Sequence, residues 1–341
     1  MLNKGSGDLL KRVSRKNKRK SSGKLISIFL IYEIIFVLIT APILVFYGPF
    51  QNVKKTLVGT AMYTFKHQYI ATLFLSKEDI DKILHKDKKK EKDIKQNFDN
   101  IKIKDTNDNS IERYDIHQDR FDGYLLEIKN PKKVKVAYTN KMKVQGQRVS
   151  EMAEEKGALA AINGGGFYDQ NKSGKEWVGT GAYPEGIVIS GGEKKWCNLK
   201  DNKEVDVMAF DEKGKLIVGQ RSLKELEELN VKEALSFNKT LIMNGEPLID
   251  DDGGQGVQPR TAIGQKEDGT VVFLVIDGRR LFKEGATLRD VQDILLKQGV
   301  CNAGSLDGGS SSTIYYKGEV INNPCNRDGE RTVATSFYVE P

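Results

Sequence analysis

Histidine is nearly absent from this 341-residue sequence, which contains only His67, His85 and His117. The first two lie in a connector and a charged linker, so a Ser-His-Asp triad, a histidine zinc site or a Cys-His pair would depend on His117 alone. The chemistry that remains rests on carboxylates, arginines, amides and backbone N–H groups. That set suits glycosyl transfer or the handling of a phosphate group.

Cysteine is also scarce, with only Cys197, Cys301 and Cys325 in the chain. No CxxC or Cys/His spacing predicts a metal site. Cys301 and Cys325 flank a glycine-rich segment, and a disulfide between them is permitted if the domain lies outside the cell. The sequence leaves two alternatives open, this bridge or three free thiols.

A net positive charge is missing outside the N-terminus. Residues 1–24 contain nine Lys/Arg and one acid, a net +8, whereas the whole chain carries +7. The remaining residues therefore sum to −1, which is no electrostatic footprint for DNA or RNA. We predict a basic N-terminal arm over residues 1–24 and no nucleic-acid partner.

A long apolar run, "LISIFLIYEIIFVLITAPILVFYGPF", follows this arm at residues 25–50. It exceeds the roughly 20 residues that cross a bilayer and the about 7–15 of a signal-peptide core. We interpret it as an uncleaved transmembrane anchor, with a buried amphipathic helix as the alternative. The positive-inside rule then places the basic arm in the cytoplasm and the C-terminal domain outside the cell, on a single-pass membrane protein.

The rest of the chain divides into a connector with a charged linker, residues 51–110, and a domain over residues 111–341. Short apolar segments alternate with turn signals in this domain, which predicts an α+β fold of twisted, mixed or antiparallel sheets with packed helices. Helices are expected at 150–157 with Ser150 as N-cap, at 222–235, and at 287–299.

Two segments of the domain share one pattern, in which a helix, a glycine and a short apolar strand precede a polar residue and a glycine-rich loop. The segments are "AINGGGFYD" and "LDGGSSST", and they suggest two related halves that bring two loops to one cleft. Glycine permits close approach of the backbone, so the loop amides could face an anion. The alternative is a pair of plain turns. The residues of interest are Asn163, Gly164, Gly165, Asp307, Gly308, Gly309 and Ser310.

Three further side chains stand at strand boundaries. Arg260 follows a proline in "QPRTAIG", and its planar fork of donors suits a phosphate or carboxylate. Glu185 follows Pro184 at the start of a strand, and Asp277 ends a buried strand. Each could act in a site, or could be a structural ion pair or strand-end carboxylate.

Seven motifs occur in an order and spacing that resembles the phosphodiester glycosidase family over roughly residues 111–341. They read "AAINGGGFYD", "GTGAYPEGIVIS", "MNGEPLI", "QPRTAIG", "VIDGRR", "SLDGGSSST" and "GEVINNPCNRDGERTVATSFYV". The family includes the animal uncovering enzyme, N-acetylglucosamine-1-phosphodiester α-N-acetylglucosaminidase. The anchor and connector are similar to those of membrane-tethered Gram-positive members that are loosely linked to exopolysaccharide biosynthesis.

The resemblance implies hydrolysis of the bond between the anomeric carbon of a sugar and a phosphodiester. Asp307, Glu185 and Asp277 are then the candidate nucleophile or base, with Asp307 first, and Arg260 would stabilise the phosphate. The remaining expected substrate-binding residues are Asn163, Gly164, Gly165, Gly308, Gly309, Ser310 and Asn244. The expected partners are a sugar-phosphate or cell-surface glycan and the membrane.

Other functions stay open from the sequence. The domain could be a non-catalytic glycan-binding or assembly module, and a serine hydrolase at residues 310–312 is disfavoured because histidine is scarce. No metal ligand is assigned, although Ca²⁺ or Mg²⁺ could bind through Asp169 or Asp307. The loop "GGSSS" departs from the third glycine expected in many relatives, so the substrate is not carried over.

Overall fold

The computed structural model describes residues 6–62, 67–84, 94–103, 107–168, 180–200, 202–237 and 239–341, with side chains from residue 23 onward. Three antiparallel sheets and a small hairpin account for the strands of these residues. The predicted α+β class is confirmed, and every strand pair described is antiparallel.

The largest sheet has seven strands in the order β1-β2-β15-β14-β16-β12-β13. Its strands are β1 (Ile111–His117), β2 (Asp122–Ile128), β12 (Thr240–Met243), β13 (Glu246–Pro247), β14 (Arg260–Lys266), β15 (Val271–Ile276) and β16 (Val300–Leu306). The central strands β14, β15 and β16 are buried almost throughout, and β15 is apolar at every position.

Two five-stranded sheets complete the domain, in the orders β10-β9-β11-β7-β8 and β18-β17-β4-β19-β3. The first contains β7 (Ile187–Ser190), β8 (Glu193–Cys197), β9 (Val205–Asp211), β10 (Leu216–Arg221) and β11 (Val231–Ser236). The second contains β3 (Val134–Tyr138), β4 (Ala160–Asn163), β17 (Ile314–Tyr316), β18 (Glu319–Val320) and β19 (Thr335–Val339). The separate hairpin pairs β5 (Phe167–Tyr168) with β6 (Tyr183–Pro184).

One apolar core lies among the three sheets. It is built from inward-facing side chains of all of them, for example Phe273, Phe210 and Phe337, and the last two rings meet edge to face at 6.0 Å between centroids. Short helices cover the outer faces, one helix to each sheet. They are α5 (Val149–Glu155), α6 (Leu223–Glu228) and α7 (Leu288–Lys297).

Among the described residues before the domain, the α-helices are α1 (Ser6–Tyr47), α2 (Gln51–Met62), α3 (Tyr69–Thr72) and α4 (Lys77–Leu84). Within α1, residues Gly23–Tyr47 are long and apolar enough to cross a membrane, and their most apolar 18-residue stretch has a mean hydropathy of 2.6 and is not buried against the protein. The end of α1 contributes Phe46 to a small core with α2, α3 and α4. Phe46 stacks on Phe74 at 4.7 Å between ring centroids.

Two expectations about local structure are wrong, and one open alternative is decided. The predicted helix over 222–235 ends at Glu228, because Asn230 adopts φ +54° and residues 231–236 pair with β7 and β9. Ser150 does not cap α5; Arg148 occupies the N-cap position, and the Ser150 hydroxyl donates to Glu330. Of the two alternatives for the cysteines, the structure has three free thiols: Cys301 is buried within β16, and its thiol donates to the Gln265 carbonyl at 3.2 Å.

Candidate active site

The two glycine-rich segments meet at one edge of the molecule. Asn163 ends β4 and Asp307 follows β16, and these strands belong to different sheets. The Asn163 side chain donates from Nδ2 to the Asp307 carbonyl at 2.6 Å, and the Asp307 N–H donates to the Gly164 carbonyl at 3.1 Å. The two segments therefore converge, as the sequence pattern predicts.

Asn163 is the link between these segments and faces the protein interior. It is fully buried, and its Oδ1 accepts from Thr261 Oγ1 at 2.7 Å and from the Thr313 N–H at 3.1 Å. The amide therefore connects β4, β14 and the segment after Asp307. Its predicted contact with a sugar hydroxyl stays a prediction, and the geometry favours a positioning role.

The glycines of residues 164–166 pack against the protein's own backbone. A Cβ added at Gly165 would lie 2.4 Å from the Ser236 carbonyl oxygen, and one at Gly164 would lie 2.5 Å from Thr335 Oγ1. Their N–H groups donate to Thr335 and those of Gly166 to Ser236, at 2.9–3.3 Å. These amides hold the loop between β11 and β19, so the geometry favours a structural role, and their contact with a bound anion stays a prediction.

Asp307 has the most perturbed carboxyl of the site. The residue is partly exposed, yet burial of its carboxyl raises its pKa to about 6, and the negative charge of Glu185 adds to the rise. The facing Ser311 hydroxyl and the charge of Arg331 act in the opposite direction. A carboxyl that ionises near neutral pH beside a second carboxyl is a common arrangement for acid–base chemistry at sugars.

Glu185 supplies that second carboxyl. Its N–H donates to the Gly166 carbonyl at 2.8 Å, which extends the β5–β6 hairpin by one residue. The residue as a whole is exposed, but its Oε2 lies against Gly166, only 3.0 Å from where a Cβ would stand. Burial in that recess raises the pKa of the Glu185 carboxyl.

Two arginines that the sequence analysis did not single out flank the Asp307 segment. The Arg331 guanidinium lies over the Phe167 ring at 4.8 Å and donates to Ser310 Oγ at 3.3 Å. The exposed Arg279 lies on the other side, with its Nη2 only 3.1 Å from where a Cβ on Gly309 would stand. Arg279 adopts φ +58°, a left-handed conformation that is uncommon for a residue other than glycine.

Arg260 lies next to this segment but faces away from it. Its guanidinium is buried and donates to the Ala286 carbonyl at 3.0 Å, to Gln255 Oε1 at 2.7 Å, and to the carbonyls of Gln255 and Gly256. These bonds hold the turn before β14. The geometry therefore favours a structural role, and anion binding by Arg260 stays a prediction.

Asp277 lies at the same edge of the large sheet, because Arg260 pairs with Ile276 and Thr261 pairs with Leu306. Its buried carboxylate accepts from Asn322 Nδ2 at 2.9 Å, the Asn323 N–H at 3.0 Å and Arg280 at 3.0 Å. Asn322 also donates to the Ser312 carbonyl at 3.0 Å. Burial raises the pKa of the Asp277 carboxyl, whose contacts support the segment after Asp307.

Asn244 is not brought to this edge. It occupies the β12–β13 turn with φ +57°, and its side chain binds the backbone of residues 95 and 97 at 2.9 and 2.8 Å. The antiparallel pairing of β12 with β16 places it at the opposite end of β16 from Asp307, a separation of about 20 Å for a seven-residue strand.

Asp169 lies outside the described residues. Within the described ranges, no three His, Cys, Asp or Glu side chains lie close enough to hold a metal ion.

Aromatic side chains extend the site beyond Glu185. Tyr168 stacks on Tyr183 at 5.4 Å between centroids, and Tyr183 meets Trp196 edge to face at 6.1 Å. All three residues are partly exposed. The motif spacing gives no signal for Arg331, Arg279 or this aromatic group, because each reaches the site through tertiary contacts between segments that are distant in the sequence.

Comparison with known proteins adds a family to this geometry. A model described as phosphodiester glycosidase matches residues 156–340, more than half of the chain. An N-acetylglucosamine-1-phosphodiester alpha-N-acetylglucosaminidase of Bos taurus is 31% identical over 111 residues, 33% of this chain and 18% of that protein. The SPbeta prophage-derived protein YomE of Bacillus subtilis is 48% identical over 65 residues, 19% of this chain and 10% of YomE. The chain thus spans less than a fifth of these curated relatives.

A solved structure shares the fold. The zebrafish N-acetylglucosamine-1-phosphodiester alpha-N-acetylglucosaminidase catalytic domain, auto-inhibited by its pro-peptide, superposes with a TM-score of 0.53 at 22% identity. The match covers 68% of this chain and 82% of that one.

Proposed function

The chain belongs to the phosphodiester glycosidase family, and on that basis we propose that it hydrolyses the bond between a sugar's anomeric carbon and a phosphodiester. The observation that carries this proposal is the convergence of Asp307, Glu185 and Arg331 at one edge of the fold. Glycosidases typically use a pair of carboxyl groups, and a guanidinium suits the phosphate of the substrate.

In the proposed reaction, the bond between C1 of the sugar and the oxygen that bridges it to phosphorus breaks, and C1 gains a hydroxyl from water. The phosphomonoester leaves with the bridging oxygen, and the proton of the water passes to a carboxylate or to solvent. A phosphate leaves more readily than an alcohol, so stabilising its charge matters more than protonating it. Asp307 acts as the nucleophile or base at the anomeric carbon, with Glu185 as the second carboxyl.

Arg331 takes the role that the sequence analysis gave to Arg260. It lies close enough to Asp307 to lower the pKa of that carboxyl, and it bonds to Ser310 on the same loop. A guanidinium in this position would bind the phosphate and offset the charge that develops on it. Arg279, on the other side of Gly309, would contact the same phosphate.

The aromatic group beside Glu185 provides a surface for the sugar. Tyr183 precedes Glu185 by two residues and stacks with Tyr168 across the hairpin. Aromatic rings that are partly exposed offer an apolar face with a polar rim, which suits the face of a pyranose. We infer that the substrate is a sugar-phosphate polymer of the cell surface, reached by a domain that α1 anchors in the membrane.

The proposal is tested with the full chain purified in detergent and UDP-N-acetylglucosamine as substrate. We expect release of N-acetylglucosamine, and a loss of about 10²-fold or more in kcat for Asp307→Asn, which keeps the shape and removes the base. Asp99→Asn is the matched control and should behave as wild type, because Asp99 is exposed and lies two residues from Asn97, which bonds to Asn244 far from Asp307. Wild-type turnover by Asp307→Asn rules out the assignment, and binding of the substrate without release indicates a glycan-binding module instead.

A further inference from the structure

Helix α2, which follows the apolar span, packs directly against the outer domain. The Lys55 ammonium pairs with the Asp251 carboxylate, and Thr56 Oγ1 donates to Asp252 Oδ2 at 2.7 Å. A Cβ added at Gly59 would lie 1.5 Å from the Gly254 carbonyl oxygen. Only glycine at position 59 permits this approach, so the helix and the turn at residues 251–256 fit together along a glycine contact.

The same turn is held from its other side. Arg260 donates to the carbonyls of Gln255 and Gly256, and Lys239 Nζ donates to the Gly253 carbonyl at 2.7 Å. The turn therefore lies between α2 and the large sheet, and its position depends on both.

The residues that follow the turn contact the candidate site. Gln258 Oε1 accepts from Arg279 Nη2 at 3.0 Å, and the Pro259 carbonyl accepts from the Gly309 N–H at 2.9 Å. A Cβ added at Gly308 would lie only 2.8 Å from that same Pro259 carbonyl oxygen. Gln258 and Pro259 therefore contact Arg279 and the loop that follows Asp307.

We propose that α2 completes the active site from outside the family domain, with Gly59 as a positioning residue. Docking of α2 fixes the 251–256 turn, and the turn fixes Arg279 and Gly309 through Gln258 and Pro259. The catalytic role of the site rests on the proposed function, whereas the docking and its effect on the loop do not. Fixing the site to the helix beside the membrane span holds it in one orientation to the bilayer, which suits a polymer attached to the same surface.

The test compares Gly59→Leu with Asn52→Leu, an exposed position on the same helix, in the full chain in detergent. Hydrogen exchange of backbone amides is measured in α2, in residues 255–260 and in residues 308–311. We expect Gly59→Leu to speed exchange at least about threefold in all three segments and Asn52→Leu in none of them. Faster exchange in α2 alone, or in no segment, overturns the proposal.

A kinetic measurement separates positioning from general loss of stability. With UDP-N-acetylglucosamine, Gly59→Leu should raise KM at least about threefold, because Arg279 is displaced. The acid limb of the pH profile of kcat/KM, which reports Asp307, should stay unchanged. An unchanged KM contradicts the proposal. If Gly59→Leu does not fold, the double variant Lys55→Gln, Thr56→Val removes the polar contacts without a clash and is expected to act in the same direction. If the wild type is inactive, the proposed function fails and the exchange experiment still decides the docking.

Discussion

Asp307 is the residue whose surroundings bear most directly on the proposed reaction, because they set the pKa of its carboxyl. Its neighbours act on the same carboxyl with opposite signs: burial and the charge of Glu185 raise its pKa to about 6, and Arg331 lowers it. If Asp307 must be ionised for turnover, kcat/KM falls as the pH drops through that value. Each neighbour then has a predictable effect on the profile.

Substitutions of Arg331 and Glu185 should shift the pH profile in opposite directions. Arg331→Gln removes a positive charge and should move the acid limb of kcat/KM to higher pH, whereas Glu185→Gln removes a negative charge and should move it to lower pH. The measurement is the pH profile of residual activity for each variant. Shifts in the same direction for both variants would show that the limb does not report Asp307.

The stability of the fold carries a related signature. Because the pKa of folded Asp307 is raised from 3.8 to about 6, its contribution to stability is present below about pH 4 and is lost as the pH rises through 6. The difference in unfolding free energy between Asp307→Asn and wild type should therefore shift in favour of the variant by ~1–2 kcal/mol between pH 4 and pH 7. Urea unfolding at the two pH values measures it, and no change with pH would argue against a buried carboxyl.

At the scale of elements, the sequence predicts where the strands of the site lie better than it predicts the roles of the residues on them. The helix, strand and glycine loop pattern correctly places Asn163 and Asp307 side by side. It cannot show that the Gly164–Gly166 amides bond to Thr335 and Ser236, because those partners lie about 70 residues or more along the chain. The helix predicted over 222–235 fails for the same reason, since pairing of β11 on both sides overrides the helical pattern.

The glycine loop gives a prediction at this scale. Gly165→Ala should lower the unfolding free energy by about 2 kcal/mol or more, because its Cβ would stand 2.4 Å from the Ser236 carbonyl oxygen. Gly123→Ala is the control, since the nearest atom there is at 3.4 Å. Thermal unfolding of both variants makes the comparison. Equal stability of the two would mean that the loop is not wedged between β11 and β19.

At the scale of the whole molecule, composition predicts more than motifs do. The apolar run after the basic arm corresponds to the span Gly23–Tyr47 of α1. What composition could not predict is that α2 packs against the 251–256 turn. That contact depends on two glycines, 59 and 254, which lie 195 residues apart.

The anchor itself is a prediction that fractionation checks. The full chain should remain in membranes after alkaline carbonate extraction, and a chain that begins at residue 51 should become soluble. Intact mass of the membrane form should include residues 1–50. Loss of these residues from the mature protein would identify the run as a cleaved signal sequence.

The most direct test of the central claim is a crystal structure of Asp307→Asn with a sugar-1-phosphodiester bound. We expect the phosphate to lie within hydrogen-bonding distance of Arg331 and the anomeric carbon to lie between positions 185 and 307. A sugar-phosphate bound away from the edge where β4 and β16 meet would contradict this expectation.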